Sequence, residues 1–177
     1  MITLSSDFGT PYPAAMKGVI LGRCDARLVD VAHDFPRQDV RATAFWLREV
    51  LPYFPPAVHL VVVDPGVGTD RGVLVVRAGE HVLVGPDNGV LVPVARELAR
   101  SEGEKAAAFF AVGGQDPASS TFHGRDVFAP IAAAVHEDGI EDFVADPDVS
   151  PAGDSVDLVL PSADVEDDRA VRSEEHT

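Results

Sequence analysis

The sequence predicts an α/β domain, a sheet with helices on its faces, and three observations carry that expectation. Short apolar runs of strand length alternate with segments of helical spacing along most of the chain. Polar loops opening at Asp7 and Asp64 follow two of the apolar runs, at the strand ends where α/β sheets hold ligands. Hydrophobic residues make up 46% of the 177, enough to bury one sizeable core.

In chain order, residues 2–6 read as a short buried strand that ends in the loop Asp7-Phe8-Gly9-Thr10. Residues 14–22 have helical spacing, with Met16, Val19 and Ile20 on one side. A strand-like run at 27–31 precedes a helical stretch at 39–53, which Pro55-Pro56 stops. Residues 58–63 form a continuous apolar run followed by Asp64-Pro65-Gly66. Runs at 73–76 and 81–84 flank Ala78-Gly79-Glu80 and read as a hairpin. A helix at 90–100, a buried strand at 106–112 and a helix at 127–136 complete the alternation. After about Asp146 the chain turns Asp- and Pro-rich, like a linker, with one apolar segment at 156–160.

The last six residues, 172–177, stand apart: one permitted codon choice reproduces the start of a common short-read library adapter. They are expected to be a non-native, adapter-derived tail and are kept out of fold reasoning.

Charge and cysteine content narrow the function classes. Fourteen Lys and Arg against 29 Asp and Glu give a net charge of −15, a surface that repels nucleic-acid phosphate. No apolar run approaches the roughly 18 residues that span a bilayer, and Met1 leads into a strand rather than a signal peptide, so a cytoplasmic protein is expected. The single Cys24 excludes a disulfide framework and a cysteine-based zinc site. Only Lys17 and Lys105 are lysines. That imbalance fits adaptation to high salt, where self-repulsion is screened, and fits equally a GC-rich codon bias.

Several motifs fall short of familiar chemistry. Gly66-Val67-Gly68-Thr69-Asp70-Arg71 nearly spells a dinucleotide-binding signature, but Arg71 stands at the third glycine and a strand follows in place of a helix. No Walker loop or Gly-x-Ser-x-Gly elbow is present. His33-Asp34, Asp64, Asp87 and His123 include metal-ligating types, without the helical His-x-x-x-His spacing that would support a site. Asp64, Arg71 and His123 make a sharper set: an acid after a buried strand, a base across a glycine-rich turn, and a histidine before a helix. By spacing alone, an ordinary ion pair and a histidine at a helix start are the commoner explanation of such a set.

A longer series of stretches carries more. Ser6-Asp7-Phe8-Gly9-Thr10, Ala15-Met16-Lys17-Gly18-Val19-Ile20, Val29-Asp30-Val31-Ala32-His33 and Gln38-Asp39-Val40-Arg41 come first. Tyr53-Phe54-Pro55-Pro56, Val63-Asp64-Pro65-Gly66-Val67-Gly68-Thr69 and Gly85-Pro86-Asp87-Asn88-Gly89 follow, and the series ends in Ser120-Thr121-Phe122-His123-Gly124-Arg125-Asp126-Val127-Phe128-Ala129-Pro130. In this order the chain resembles the S-adenosylmethionine hydroxide adenosyltransferases, SAM hydrolases related to the adenosyl-fluoride and adenosyl-chloride synthases.

The resemblance implies a Rossmann-like, mostly parallel sheet flanked by helices as the catalytic N-terminal domain, here 1–150. A connector at 151–171 would lead toward a small C-terminal β domain, absent from this chain, that completes the adenine and methionine sites against a neighbouring subunit of a homotrimer. It implies Asp64, Arg71 and His123 as catalytic triad, and Asp7, Pro65, Asn88, Thr121, Phe122 and Gly124 as substrate-binding residues, with Asp7 on the ribose hydroxyls. The halide-using relatives carry Tyr at the position of Asp64, and the fluoride-using ones Ser at that of Gly124, so this chain resembles the water-using branch. One departure is local: the acidic residue usual between the Asp-Phe-Gly loop and the tyrosine is missing in Thr10-Pro11-Tyr12. The implied activity is hydrolysis of S-adenosyl-L-methionine to adenosine and L-methionine, with no metal, no other cofactor, and neither nucleic acid nor membrane as partner. Two rivals stand beside it: a metal-dependent hydrolase using Asp7, Asp64, Asp87 and His123, and a nucleoside-binding module without turnover.

Overall fold

The computed structural model describes residues 1–66, 72–114 and 122–161 with their side chains, and the backbone of 163–166 and 169–172. Its elements in order are β1 (Ile2–Ser6), α1 (Tyr12–Leu21), β2 (Leu28–Ala32), α2 (Val40–Val50), β3 (Val58–Val62), β4 (Val73–Ala78) and β5 (His81–Pro86). They continue with α3 (Val92–Ser101), β6 (Ala108–Val112), α4 (Ala129–Asp138), α5 (Ile140–Phe143), β7 (Val149–Pro151), β8 (Ala163–Glu166) and β9 (Arg169–Arg172).

Seven strands form one sheet in the order β2-β1-β3-β5-β4-β6-β7. The pairings β1–β2, β1–β3 and β3–β5 are parallel, as expected. The other three, β4–β5, β4–β6 and β6–β7, are antiparallel, so by neighbours the sheet is mixed. Two of these come from the β4–β5 hairpin, whose two-residue connection Gly79-Glu80 reverses the chain, with Gly79 at a φ of 61°, and the third from the edge strand β7. Because β4 is antiparallel to both its neighbours, β6 still runs with the parallel set.

Strand alternation sorts the core into two layers. Val58, Leu60 and Val62 of β3, with Val75 and Val84, pack on one face against Met16 and Ile20 of α1 and Ile131 and Val135 of α4. Val61, Leu74, Val76 and Leu83 pack on the other face against Ala44 and Leu47 of α2 and Leu91, Val94 and Leu98 beside and within α3. The two-residue period places neighbours in sequence in different layers, as a strand covered on both faces requires. Helix α2 starts where Asp39 accepts the Ala42 N–H at 2.9 Å, a side-chain cap at the boundary read from sequence.

Three boundaries differ from expectation. The helix expected from 127 opens instead as a π turn over Gly124–Phe128 and becomes regular at Ala129. The linker-like tract after Asp146 holds an edge strand, β7, paired with β6. The apolar segment at 156–160 is docked: Leu158 and Leu160 join the second core layer and the Val156 N–H donates to Asp87 Oδ1 at 2.8 Å. Strands β8 and β9 pair as a hairpin in which Ala163 opposes Arg172, so its second strand ends on the first residue of the expected tail. Among the described residues no helix is long and apolar enough to cross a membrane.

Candidate active site

The parallel strands end in loops at one edge, and those loops enclose a cavity of about 410 Å3. Asp7 and Phe8 come from the loop after β1, Arg37 and Gln38 from the crossing between β2 and α2, Asp64 and Pro65 from the end of β3. Phe122, His123 and Gly124, just before and within the π turn, close the opposite wall with Tyr12 of α1. The structure thus brings together Asp7, Asp64, Pro65, Phe122, His123 and Gly124 from the expected set. Arg71 and Thr121 lie outside the described residues, as does most of the 66–71 glycine segment.

Asp64 is 8% exposed, and its Oδ1 accepts the Gly66 N–H at 2.9 Å, folding the chain back over the strand end. Asp7 accepts the Gln38 N–H on Oδ2 at 2.6 Å. Gln38 presents that N–H from a φ of 59°, a conformation uncommon outside glycine. Asn88 does not line the cavity. Its amide donates to the Val63 carbonyl at 2.9 Å and its Oδ1 accepts the Val90 N–H at 3.1 Å, so its side chain binds the end of β3 to the start of α3.

An aromatic wall faces the carboxylates. Tyr12 stacks on Phe122 at 5.5 Å and meets Phe8 edge-on at 5.0 Å. Arg125 lies over the Phe122 ring at 4.8 Å and is held by Asp126 through bonds of 2.5 and 2.9 Å. That hydrogen-bonded pairing lowers the Asp126 carboxyl below its ordinary range. Burial raises the Tyr12 phenol, which stays neutral around pH 7. Behind the wall a Cβ on Gly124 would sit 3.0 Å from Met16 Sδ and 3.4 Å from Tyr12 and Val62, so a side chain there has to move the cavity's backing.

Of the rival metal set, Asp7, Asp64 and His123 share the cavity and Asp87 does not line it, and among the described residues no group of three or more His, Cys, Asp or Glu is placed to hold a metal ion. Asp87 instead receives the Val156 N–H, and His33 is engaged by Ser6 and Asp30. Sequence reasoning passed over Phe8, Tyr12, Arg37 and Gln38 as site residues. Phe8 was signalled by its place inside the Asp7 loop, whereas nothing local in the sequence points Arg37 or Gln38 at the cavity.

Comparison with known proteins follows the same lines. A family model described as the SAM hydroxide adenosyltransferase N-terminal domain matches residues 2–143. The chain is 45% identical over 138 residues to an (R)-S-adenosyl-L-methionine hydrolase of Salinispora tropica, covering 75% of this chain and 51% of that protein. It is 41% identical over 143 residues to the protein of that name from Methanocaldococcus jannaschii, covering 76% and 52%. A crystal structure of a conserved protein from Thermotoga maritima superposes with a TM-score of 0.76 at 32% identity, covering 94% of this chain and 64% of that one. The chain therefore spans about half the length of the curated relatives it matches.

Proposed function

Because the chain belongs to the SAM hydroxide adenosyltransferase family through its N-terminal domain, we propose that it carries the water-activating site of an S-adenosyl-L-methionine hydrolase. Water attacks C5′ of the adenosyl group, the C5′–S bond breaks with its electron pair going to sulfur, and adenosine and L-methionine leave. The observation that carries this reading is the cavity itself: Asp64 and His123 face a space bounded also by Asp7, on the fold of that family.

The chemistry asks little beyond alignment and a proton acceptor. The sulfonium departs as a neutral thioether, so the leaving group needs no acid. Charge disperses in the transition state, and rate comes mainly from holding water, C5′ and sulfur in line. Free water has a pKa of about 15.7, and a carboxylate is far too weak a base to hold a preformed hydroxide in the site. Asp64 accepts a hydrogen bond from the water and takes the proton late, while His123 orients the water and Arg71 stabilises developing negative charge. Asp7 grips the ribose hydroxyls, with Phe122, Pro65 and Thr121 around the nucleoside and Asn88 holding the strand end behind them. The absence of a side chain at Gly124 leaves the water-using geometry open.

The relatives' names specify the (R) configuration at sulfur, and the same preference is proposed here. On this reading the working enzyme is a cytoplasmic homotrimer that needs no metal or other cofactor and engages neither nucleic acid nor membrane. The net charge of −15 argues against a nucleic-acid partner, and the neutral leaving group removes the need for acid or metal help at sulfur. The test is product analysis with each sulfonium epimer: adenosine and methionine should appear in equal amounts without halide, faster from the (R) epimer. A 5′-halo nucleoside at high halide would overturn the assignment to water. Loss of turnover on chelation would favour the metal-dependent rival, and adenosine binding with no product from either epimer the non-catalytic one.

A further inference from the structure

His33 stands outside the cavity and takes no part in the chemistry just described, yet it touches the Asp7 loop from both sides. Its Nδ1 lies 2.7 Å from the hydroxyl of Ser6, the residue before Asp7. Its carbonyl accepts the N–H of Gly9, two residues after Asp7, at 2.7 Å. Gly9 turns there at a φ of 63°, a backbone shape that suits glycine. The imidazole is held in turn: Nε2 donates to Asp30 Oδ1 at 3.0 Å, and Lys17 donates to the other oxygen of Asp30 at 2.5 Å. Burial pushes the Asp30 carboxyl up, but the bonds from Lys17 and His33 outweigh it and leave the group below its ordinary range, so it stays an acceptor. Five residues past His33, the Gln38 N–H reaches Asp7 Oδ2.

We infer that His33 is a positioning residue for the Asp7 carboxylate, the anchor through which the β2–α2 crossing fixes the Asp7 loop. Three bonds join the two loops, at Ser6, Asp7 and Gly9, and the only side chain the crossing contributes to them is His33. Ser6 is fully buried in the intact fold, so removing the imidazole takes away the side-chain partner of its hydroxyl. The Ser6 hydroxyl both donates and accepts, and Nε2–H faces Asp30 in either protonation state of His33, so the anchor holds whether or not the ring is charged.

The inference rests on the ribose reading of Asp7, and two measurements separate their failures. The first is NMR titration with adenosine and with 2′,3′-dideoxyadenosine, which lacks the hydroxyls. Asp7→Ala benchmarks the ribose contact and should weaken adenosine about tenfold or more with less than about twofold effect on the dideoxy ligand. His33→Ala should show the same selectivity at about tenfold, and His33→Asn, which keeps a polar group near the Nδ1 position, should recover to within about threefold. Asp30→Asn, a milder change, should fall between them. Equal losses for both ligands in His33→Ala, beside a selective Asp7→Ala, would overturn the positioning role. The second is amide exchange at Gln38, which needs no ligand. It should speed about tenfold in His33→Ala and hold near native in His33→Asn. An unchanged Gln38 amide in His33→Ala also overturns the inference. An unselective Asp7→Ala with a faster Gln38 amide in His33→Ala would instead remove the ribose reading and leave the anchor standing.

Discussion

Three adjacent strands, β1, β3 and β5, carry polar residues near both ends, and the two ends behave differently. At the far end from the cavity, Thr3 Oγ lies 2.8 Å from His59 Nδ1, and His59 Nε2 lies 2.8 Å from His81 Nδ1. His81 Nε2 then faces Glu102 at 3.4 Å. One proton order satisfies all of them: Thr3 donates to His59, His59 to His81, and His81 to the carboxylate. Thr3, His59 and His81 are all buried, and each finds its partners inside the fold. At the other end Asp7 and Asp64 also accept backbone N–H groups, but both line an open cavity. Burial with every bond closed is a stability device, whereas a braced carboxylate facing open space is positioned for a ligand.

The sharpest way to break that distinction is to remove one group from each end. Asp64→Ala should lower methionine release at least about 100-fold, the loss typical of a positioned base, and cost about 1 kcal/mol or less of stability. A near-wild-type rate would remove Asp64 from the mechanism. His59→Leu should do the reverse, lowering stability by about 1–3 kcal/mol through the orphaned Thr3 and His81 while turnover per folded molecule stays unchanged.

Acidification probes the closed end next. Burial, reinforced by the charge of His81, pushes the His59 imidazole down to about 3, and burial lowers His81 as well. Both histidines are therefore neutral in the folded chain at pH values where the unfolded chain has already taken up protons. Their contribution is fully present above about 6.5, the unfolded value, and is lost as pH falls below it. Each histidine should steepen the decline toward about 1.4 kcal/mol per pH unit, read as unfolding midpoints between pH 8 and 4. His59→Leu should flatten the slope, and an equally steep variant would place the acid sensitivity elsewhere.

The sequence made the open end more legible than the closed one. Asp7 and Asp64 declare themselves because each interrupts an apolar run where an α/β sheet turns toward its ligand. His59 sits inside the run 58–63 and reads there as one more buried residue, since its partners lie on two other strands. Strands β3, β4 and β5 were legible as unbroken apolar runs of strand length, the last two flanking a glycine turn, and the start of α2 lay at Asp39. The π turn at Gly124 and the short strand β7 were not, because each depends on what packs against it and carries no periodic signal of its own. The docking of 156–160 rests on Leu158 and Leu160, too few residues to mark an element. In the site, Tyr12, Arg37 and Gln38 reach the cavity by tertiary placement, and Asn88, expected at the substrate, spends its side chain on the backbone.

The smallest effect offers the finest comparison, because it matches stability costs at the two ends. Gly124→Ala places a methyl 3.0 Å from Met16 Sδ and 3.4 Å from Tyr12 and Val62. Met16 is fully buried but flexible, so it yields by a few tenths of an ångström at a cost of about 1 kcal/mol. Thr3→Val keeps the shape of the closed end and orphans His59 Nδ1, again at about 1 kcal/mol. For a domain of this size either change should lower the melting midpoint by about 2–4 °C. Their effects on turnover should separate. The methyl at Gly124 pushes on Tyr12 and on the peptide joining His123 to the π turn, so alignment suffers and methionine release should fall about five- to tenfold. Thr3→Val touches nothing that faces the cavity and should leave the rate per folded molecule unchanged. Equal rate losses from the two would mean that the closed end transmits strain across the sheet to the site, and the division of labour between the strand ends would have to be abandoned.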